Sequence, residues 1–577
     1  MKKGVTKALF ALCVALAVCT GCLGKSDKEH KKEKAKEEAE EDLEEYHQDS
    51  EALQFPSDGW NYDKKHKAYW QIQVSYCTGP QAKELETLAV YVPAAYMDAE
   101  KNENGTYTCT VNTEKTVNGY TAETAPVVFP VDTEEYEPQV SPASYNYKQA
   151  SAYLKQGFIY VCAGMRGKAG GQNEDGSSYS GGAPWGVADL KAAVRYYRYN
   201  KDVLPGDTEQ IYCFGSGAGA SQAAIMGASG NSDLYTAYLT EIGAAVEDKE
   251  GNELGDEIAG VMAWNPSAGL DYGSEAYEWN LGQYIGGETR EDGTWTKKFS
   301  GDLISMYAEY INALKLTDEE GNELSLKKGG KGSFTKGSYY KYLASSLEDA
   351  LNRFLADTKF PYGGYKTSEE YIDALNSEEE WITYDAASNT AEIDSMEAFA
   401  KYCKAAEKPV GAYDDLDRAS AENDLFGTEN TESLHFDTTM SYLLQEYSFD
   451  YGRLDNWDDA VPPAYSADTG TKDSLGNSVG TRQSMYNAMY YLSPYYEGSG
   501  TSDTAKYWRI NTSALRADTP VSPEVNLYLA LKDADGVEDV QFTQIWGEDE
   551  GMVEESGKPV KNFVLWVNAC AKKQTEP

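Results

Sequence analysis

Histidine is scarce in this chain: the 577 residues hold four, His30, His47, His66 and His435. Any imidazole chemistry must draw on those four. Basic residues are few as well. Lys and Arg number 51 against 94 Asp and Glu, a formal net charge of -43. That balance excludes nucleic acid as a partner, because phosphate recognition is dominated by Lys and Arg. It fits an exposed, solvated surface instead. The apolar run at residues 8–18 is too short for an ordinary membrane span. The cysteines beyond Cys22 are Cys77, Cys109, Cys162, Cys213, Cys403 and Cys570, and none stands at metal-ligand spacing. Neither a cofactor motif nor an internal repeat is found.

What the chain does have begins with a targeting segment. Lys2 and Lys3 precede the apolar run, which ends in Cys19, Thr20, Gly21 and Cys22. Small residues directly before a cysteine resemble a bacterial lipobox. The resemblance implies cleavage before Cys22 and lipidation there, anchoring an extracytoplasmic protein to the membrane by acyl chains rather than by a helix. Residues 25–51 are rich in Lys and Glu and read as a solvated tether, with no face apolar enough to dock. Outside the cytoplasm Cys77 and Cys109 can pair, although small buried residues are the plainer reading.

The stretch that organises the rest is residues 211–227. A short run of strand formers, Ile211 to Phe214, breaks at Gly215, Ser216, Gly217, Ala218 and Gly219, then continues with helix formers. Strand, sharp turn, helix is the pattern of a nucleophile elbow, G-x-S-x-G, with serine at the tip. Here the tip is Gly217. Around it, residues 68–76, 88–92, 158–162 and 258–264 read as strands and 187–199 as a helix with Val187, Leu190, Val194 and Tyr197 on one side. Such alternation predicts an α/β fold, a parallel sheet with helices on both faces. From about 271 to 500 the pattern becomes helical and aromatic, with helices expected near 303–314, 339–355 and 396–406. Strand candidates at 507–510 and 540–546 and helices at 523–531 and 562–569 then complete the sheet. The expected division is 1–21 signal, 22–53 tether, 54–270 core, 271–500 inserted cap and 501–577 core.

Several stretches in this order resemble the tannase-like and feruloyl-esterase-like carboxylesterases, bacterial α/β-hydrolases with a large cap. They are residues 160–167, 181–195, 204–208, the elbow through Ser232, 263–266, Asp415 to Arg418 with Glu422 and Asn423, and Trp546-Gly547. The resemblance implies a Ser, Asp and His set. The Ser position falls on Gly217, the Asp on Asp518 and the His on Glu550, so only the acid is kept. It also implies oxyanion-type donors at Met165 and Ala218, and pocket or cap residues at Arg166, Asp415, Asp417, Glu422 and His435.

A serine hydrolase needs a base within hydrogen-bond reach of its nucleophile, and no histidine follows the last strand. The expectation is therefore a degenerate hydrolase that binds a small phenolic, ester or sugar-like ligand under its cap. Two other readings stay open. One is an active carboxylesterase on phenolic or carbohydrate esters, using Ser216 as a displaced nucleophile with His435, or Glu550 acting on water. The other is a surface scaffold with no small ligand. Contact between His435 and Ser216 favours the first, and a filled cleft favours the second.

Overall fold

The computed structural model describes residues 48–330 and 333–575. The signal, Cys22, most of the tether, His30 and His47 lie outside the described residues. Nine strands form the main sheet: β1 (Asn61–Asp63), β2 (Ala68–Ser75), β3 (Thr87–Pro93), β4 (Val127–Val131), β5 (Ile159–Ala163), β6 (Ile211–Ser216), β7 (Gly260–Trp264), β8 (Tyr507–Ser513) and β9 (Asp539–Ile545). Their order across the sheet is β1-β2-β3-β5-β4-β6-β7-β8-β9. The first three pair antiparallel, as does β3 with β5, and every pair from β5 to β9 is parallel.

Burial on both faces explains why the parallel strands read as continuous apolar runs. Tyr160, Cys162, Tyr212, Phe214, Met262 and Trp264 point to one face, where they meet α1 (Tyr147–Leu154) and the C-terminal helix Pro559–Thr575. The alternate residues Ile159, Val161, Ile211, Cys213, Val261 and Ala263 point to the other, against α2 (Trp185–Tyr199) and α3 (Ala218–Ala228). This period of two is the pleat itself.

Two elements differ from the sequence reading. Strand β4 carries no expectation from the sequence, because Pro126 and Pro130 interrupt its apolar run and proline lacks a ladder donor. It nevertheless sits between β5 and β6 and is wholly buried. Helix α2 reads as amphipathic but is buried on every side. Its polar residues meet buried counter-charges rather than water: Asp189 takes Arg166 at 2.6 Å, Lys191 reaches Asp256 at 2.6 Å, and Arg195 reaches the same carboxylate at 2.7 Å.

Among the described residues between Trp264 and Tyr507 no strand joins the main sheet. That insert is mostly helical, with α4 (Gly273–Asn280), α5 (Trp295–Leu314) and α6 (Ser338–Asp357) among its helices, and one hairpin, Ile382–Asp385 with Thr390–Ile393. Leu347, Leu351 and Leu355 of α6 pack with Trp381, Phe399, Ala514, Val521 and Trp546 in one apolar cluster. The insert is thereby seated on the loops that follow β8 and β9. From Ala52 onward the chain packs as one compact unit. Cys77, Cys109, Cys162, Cys213 and Cys570 are free thiols buried in this packing, and Cys403 is free and half-buried.

Candidate functional site

The carboxyl ends of the parallel strands meet at one crest, and the backbone there is strained. Tyr136 after β4, Asn265 after β7 and Asp518 after β8 have φ of 62°, 51° and 51°, and Gly217 after β6 has φ 57°. Left-handed non-glycine residues each cost about 1–3 kcal/mol and gather where a site needs them. Gly217 itself has φ 57° and ψ -123°. The glycines beside it allow the tight strand-to-helix turn. A Cβ on Gly219 would stand 2.2 Å from the Val131 carbonyl oxygen, and one on Gly215 would stand 2.5 Å from the backbone of Gly219. A Cβ on Gly217 would meet nothing within 4 Å. The elbow backbone is intact and its tip faces open space.

Ser216 does not share that direction. It is the last residue of β6, paired with Trp264, and the pleat turns it to the face that carries Phe214. His435 is buried elsewhere. Its Nδ1 lies 2.8 Å from Asp414, its ring stacks on Tyr465 at 3.6 Å, and it is 2 % exposed. Asp414 also accepts from Asn423, Phe436 and Asp437, so this network braces the loop around residues 414–437. Sequence reasoning overlooked Asp414 because its neighbours Asp415 and Asp417 carry the family pattern. Those two shape a turn: the Asp417 N–H donates to Asp415 at 2.8 Å, and Asp417 is exposed.

Arg166 is wholly buried. It binds Asp189 through Nε at 3.0 Å and Nη2 at 2.6 Å, and it lies 3.9 Å over the Trp185 ring. Met165 N–H donates to the Gln139 carbonyl at 2.8 Å, which occupies this expected oxyanion donor. The reason is β4: it stands between β5 and the elbow, so the loop after β4, rather than the turn after β5, runs beside α3. Among the described residues the amides of Ala218 and Thr133 are two at the crest with no acceptor. Thr133 N lies 3.4 Å from where a Gly219 Cβ would be. An amide after the tip and one from the loop of a neighbouring strand are the pair that α/β-hydrolases use as an oxyanion hole. The signal for Thr133 lay in the overlooked apolar run before it.

Glu550 is exposed on the loop after β9. Within that loop Glu554 is the buried acid, held by Trp264 Nε1 at 3.1 Å and Arg509 at 2.8 Å. Asp518 turns towards the insert: it accepts from Tyr277 at 2.5 Å and from the Glu407 N–H at 2.9 Å, and its carbonyl takes Lys408 Nζ at 3.0 Å. Arg516, two residues earlier, faces the crest. Its Nη1 donates to the Asn265 carbonyl at 3.0 Å.

Glu422 completes the site from the insert. Burial pushes its carboxyl above the usual range, while Lys408 and Arg516 nearby pull it down. Tyr136 and Tyr413 lie within the field of both Glu422 and Arg516. The buried Tyr136 hydroxyl approaches Ser221 and Ser267 without closing a hydrogen bond to either. Tyr486 likewise approaches Gln222, whose Oε1 also has no protein partner. Ser221 Oγ donates to the Gly217 carbonyl at 3.1 Å and accepts from the Ser267 N–H at 2.7 Å. Tyr136, Tyr486 and Gln222 thus leave polar atoms near the elbow without a protein partner.

An open mixed sheet, a capped carboxyl edge and an intact elbow define an α/β-hydrolase fold. No protein-family model and no curated protein matches the sequence. Solved structures do. The native tannin acyl hydrolase from Lactobacillus plantarum is 23 % identical with a TM-score of 0.67, and the match covers 90 % of this chain and 99 % of that one. Tannase from Fusobacterium nucleatum is 26 % identical with a TM-score of 0.66 over the same shares. A tannin acyl hydrolase bound to ethyl gallate is 24 % identical, also at 0.66, again over 90 % of this chain and 99 % of that one. The chain is therefore tannase-like, an α/β-hydrolase with a cap.

Proposed function

We propose that this chain binds a small phenolic ligand at the crest of a tannase-like fold and does not turn it over through an acyl-enzyme. One observation carries the reading. The elbow backbone, the Ala218 and Thr133 amides and the orphaned phenol of Tyr136 surround a tip that has no hydroxyl. Among the described residues neither His66, paired with Asp63, nor His435, paired with Asp414, makes a hydrogen bond to Ser216, so neither serves it as a base. The polar set suits a hydroxylated ring. Glu422 accepts from ring hydroxyls, Lys408 donates to their oxygens, and Tyr136 and Tyr413 offer aromatic surface. Related solved tannases carry ethyl gallate and 3,4-dihydroxybenzoate, which supports this ligand class. The N-terminal segment anchors the protein outside the cytoplasm through a lipid on Cys22.

The test is calorimetric titration of ethyl gallate with parallel assay of its hydrolysis. Binding without turnover is the expected result. Turnover that Ser216→Ala abolishes would make the chain a working esterase with a displaced nucleophile and overturn the reading.

A further inference from the structure

Arg516 brings a guanidinium to the crest. Its guanidinium is pinned at a single nitrogen, Nη1, on the Asn265 carbonyl at 3.0 Å. Asn265 is a rigid support: its Nδ2 donates to the Gly551 carbonyl at 2.9 Å, and its Oδ1 accepts from the Ser513 N–H at 2.7 Å. The residue before it, Trp264, accepts the N–H of Gly217 at 2.9 Å. Arg516 is thus fixed one residue along the neighbouring strand from the elbow tip. Its nearest acid, Glu524, lies at 3.9 Å, whereas the buried pairs Arg166–Asp189 and Lys191–Asp256 both close to 2.6 Å. The Arg516 side chain keeps 26 % exposure, and among the described residues its Nε and Nη2 have no protein acceptor.

We infer that Arg516 makes this site a receptor for the free carboxylate of a hydroxybenzoic acid in preference to the ester. The inference rests on the binding role proposed above and names its ligand. A guanidinium fork matches a carboxylate with two parallel N–H···O bonds, which a neutral ester cannot match in strength. The Ala218 and Thr133 amides add neutral donors on the other side of the tip. At Gly217 the space beside these donors is open. A hydrolase has reason to release such an acid, and a receptor has reason to hold it.

The experiment titrates gallate and ethyl gallate into the full-length protein and into Arg516→Gln and Arg516→Lys. Gallate is expected to bind the parent about tenfold or more tighter than ethyl gallate. Arg516→Gln should lose that preference while holding ethyl gallate within about twofold, which also reports that the variant is folded. Arg516→Lys keeps a cation without the planar fork and should recover part of the gallate affinity. Equal binding of acid and ester by the parent, or an equal loss of both in Arg516→Gln, overturns the carboxylate role and leaves the phenolic site standing. No binding of either compound to the parent overturns both.

Discussion

Gly217 and Gly219 lie two residues apart and answer to different constraints. At Gly217 a side chain would meet open space, and only the left-handed backbone resists it. Gly217→Ser should therefore fold, at a cost of about 1–3 kcal/mol, and differential scanning calorimetry would read this as a small fall in melting temperature. The serine would restore a hydroxyl at the tip without restoring a base. Arg166 marks the opposite extreme. Its position in the family pattern suggested a pocket residue, yet it is sealed between Asp189 and the Trp185 ring. Removing one partner of a buried pair strands the other charge, so Arg166→Met should lose about 3–5 kcal/mol in chemical denaturation. If it instead proved neutral for stability but weakened ligand binding, Arg166 would belong to the site after all. Nothing in a one-dimensional pattern separates these two arginine roles, because both depend on what faces the side chain.

At the scale of elements, the contact between α3 and β4 decides whether the elbow forms. A methyl on Gly219 would press into the Val131 carbonyl at 2.2 Å, a backbone atom that cannot rotate away. Gly219→Ala should therefore cost about 1–3 kcal/mol through overpacking, read by chemical denaturation. The insert carries a second constraint. Glu275 in α4 and Asp437, which caps the helix Thr438–Glu446, are buried against each other, and burial raises both carboxyls well above their ordinary 4.5 and 3.8. The folded pair holds a proton that the unfolded chain gives up. Its stabilising contribution is fully present below those ordinary values and is lost as pH rises through the raised ones. Asp271, pushed up to about 6 by burial, acts with the same sign. Glu275→Gln should therefore flatten the decline of melting temperature as pH rises above the ordinary carboxylate range. A parallel decline in parent and variant would assign the pH dependence to other groups.

For the whole molecule, the prediction concerns ligand and fold together. A ligand that binds only the folded chain stabilises it by about 2.7 kcal/mol at a hundredfold excess over its dissociation constant. At one fixed gallate concentration the unfolding temperature of the parent should rise, and that of Arg516→Gln should rise by less. Much of the architecture behind this was readable in the chain. Strands β2, β3, β5, β6, β7, β8 and β9 announce themselves by apolar runs or alternation bounded by Gly and Pro, and α2 and α3 by helix formers after small residues. These are local properties, carried by neighbours in sequence. So are the glycine at residue 217 and the lack of any histidine after the last strand. Strand order is not local. Only packing set β4, with its two prolines, between β5 and β6, and that insertion moved the second amide donor from Met165 to Thr133. Only packing turned Asp518 towards the insert and Arg516 towards the tip, because side-chain direction after a strand depends on the loop's backbone, here a residue at φ 51°. Composition and periodicity determine which elements form. The charge that faces the crest depends on non-local contacts that close once the chain is packed.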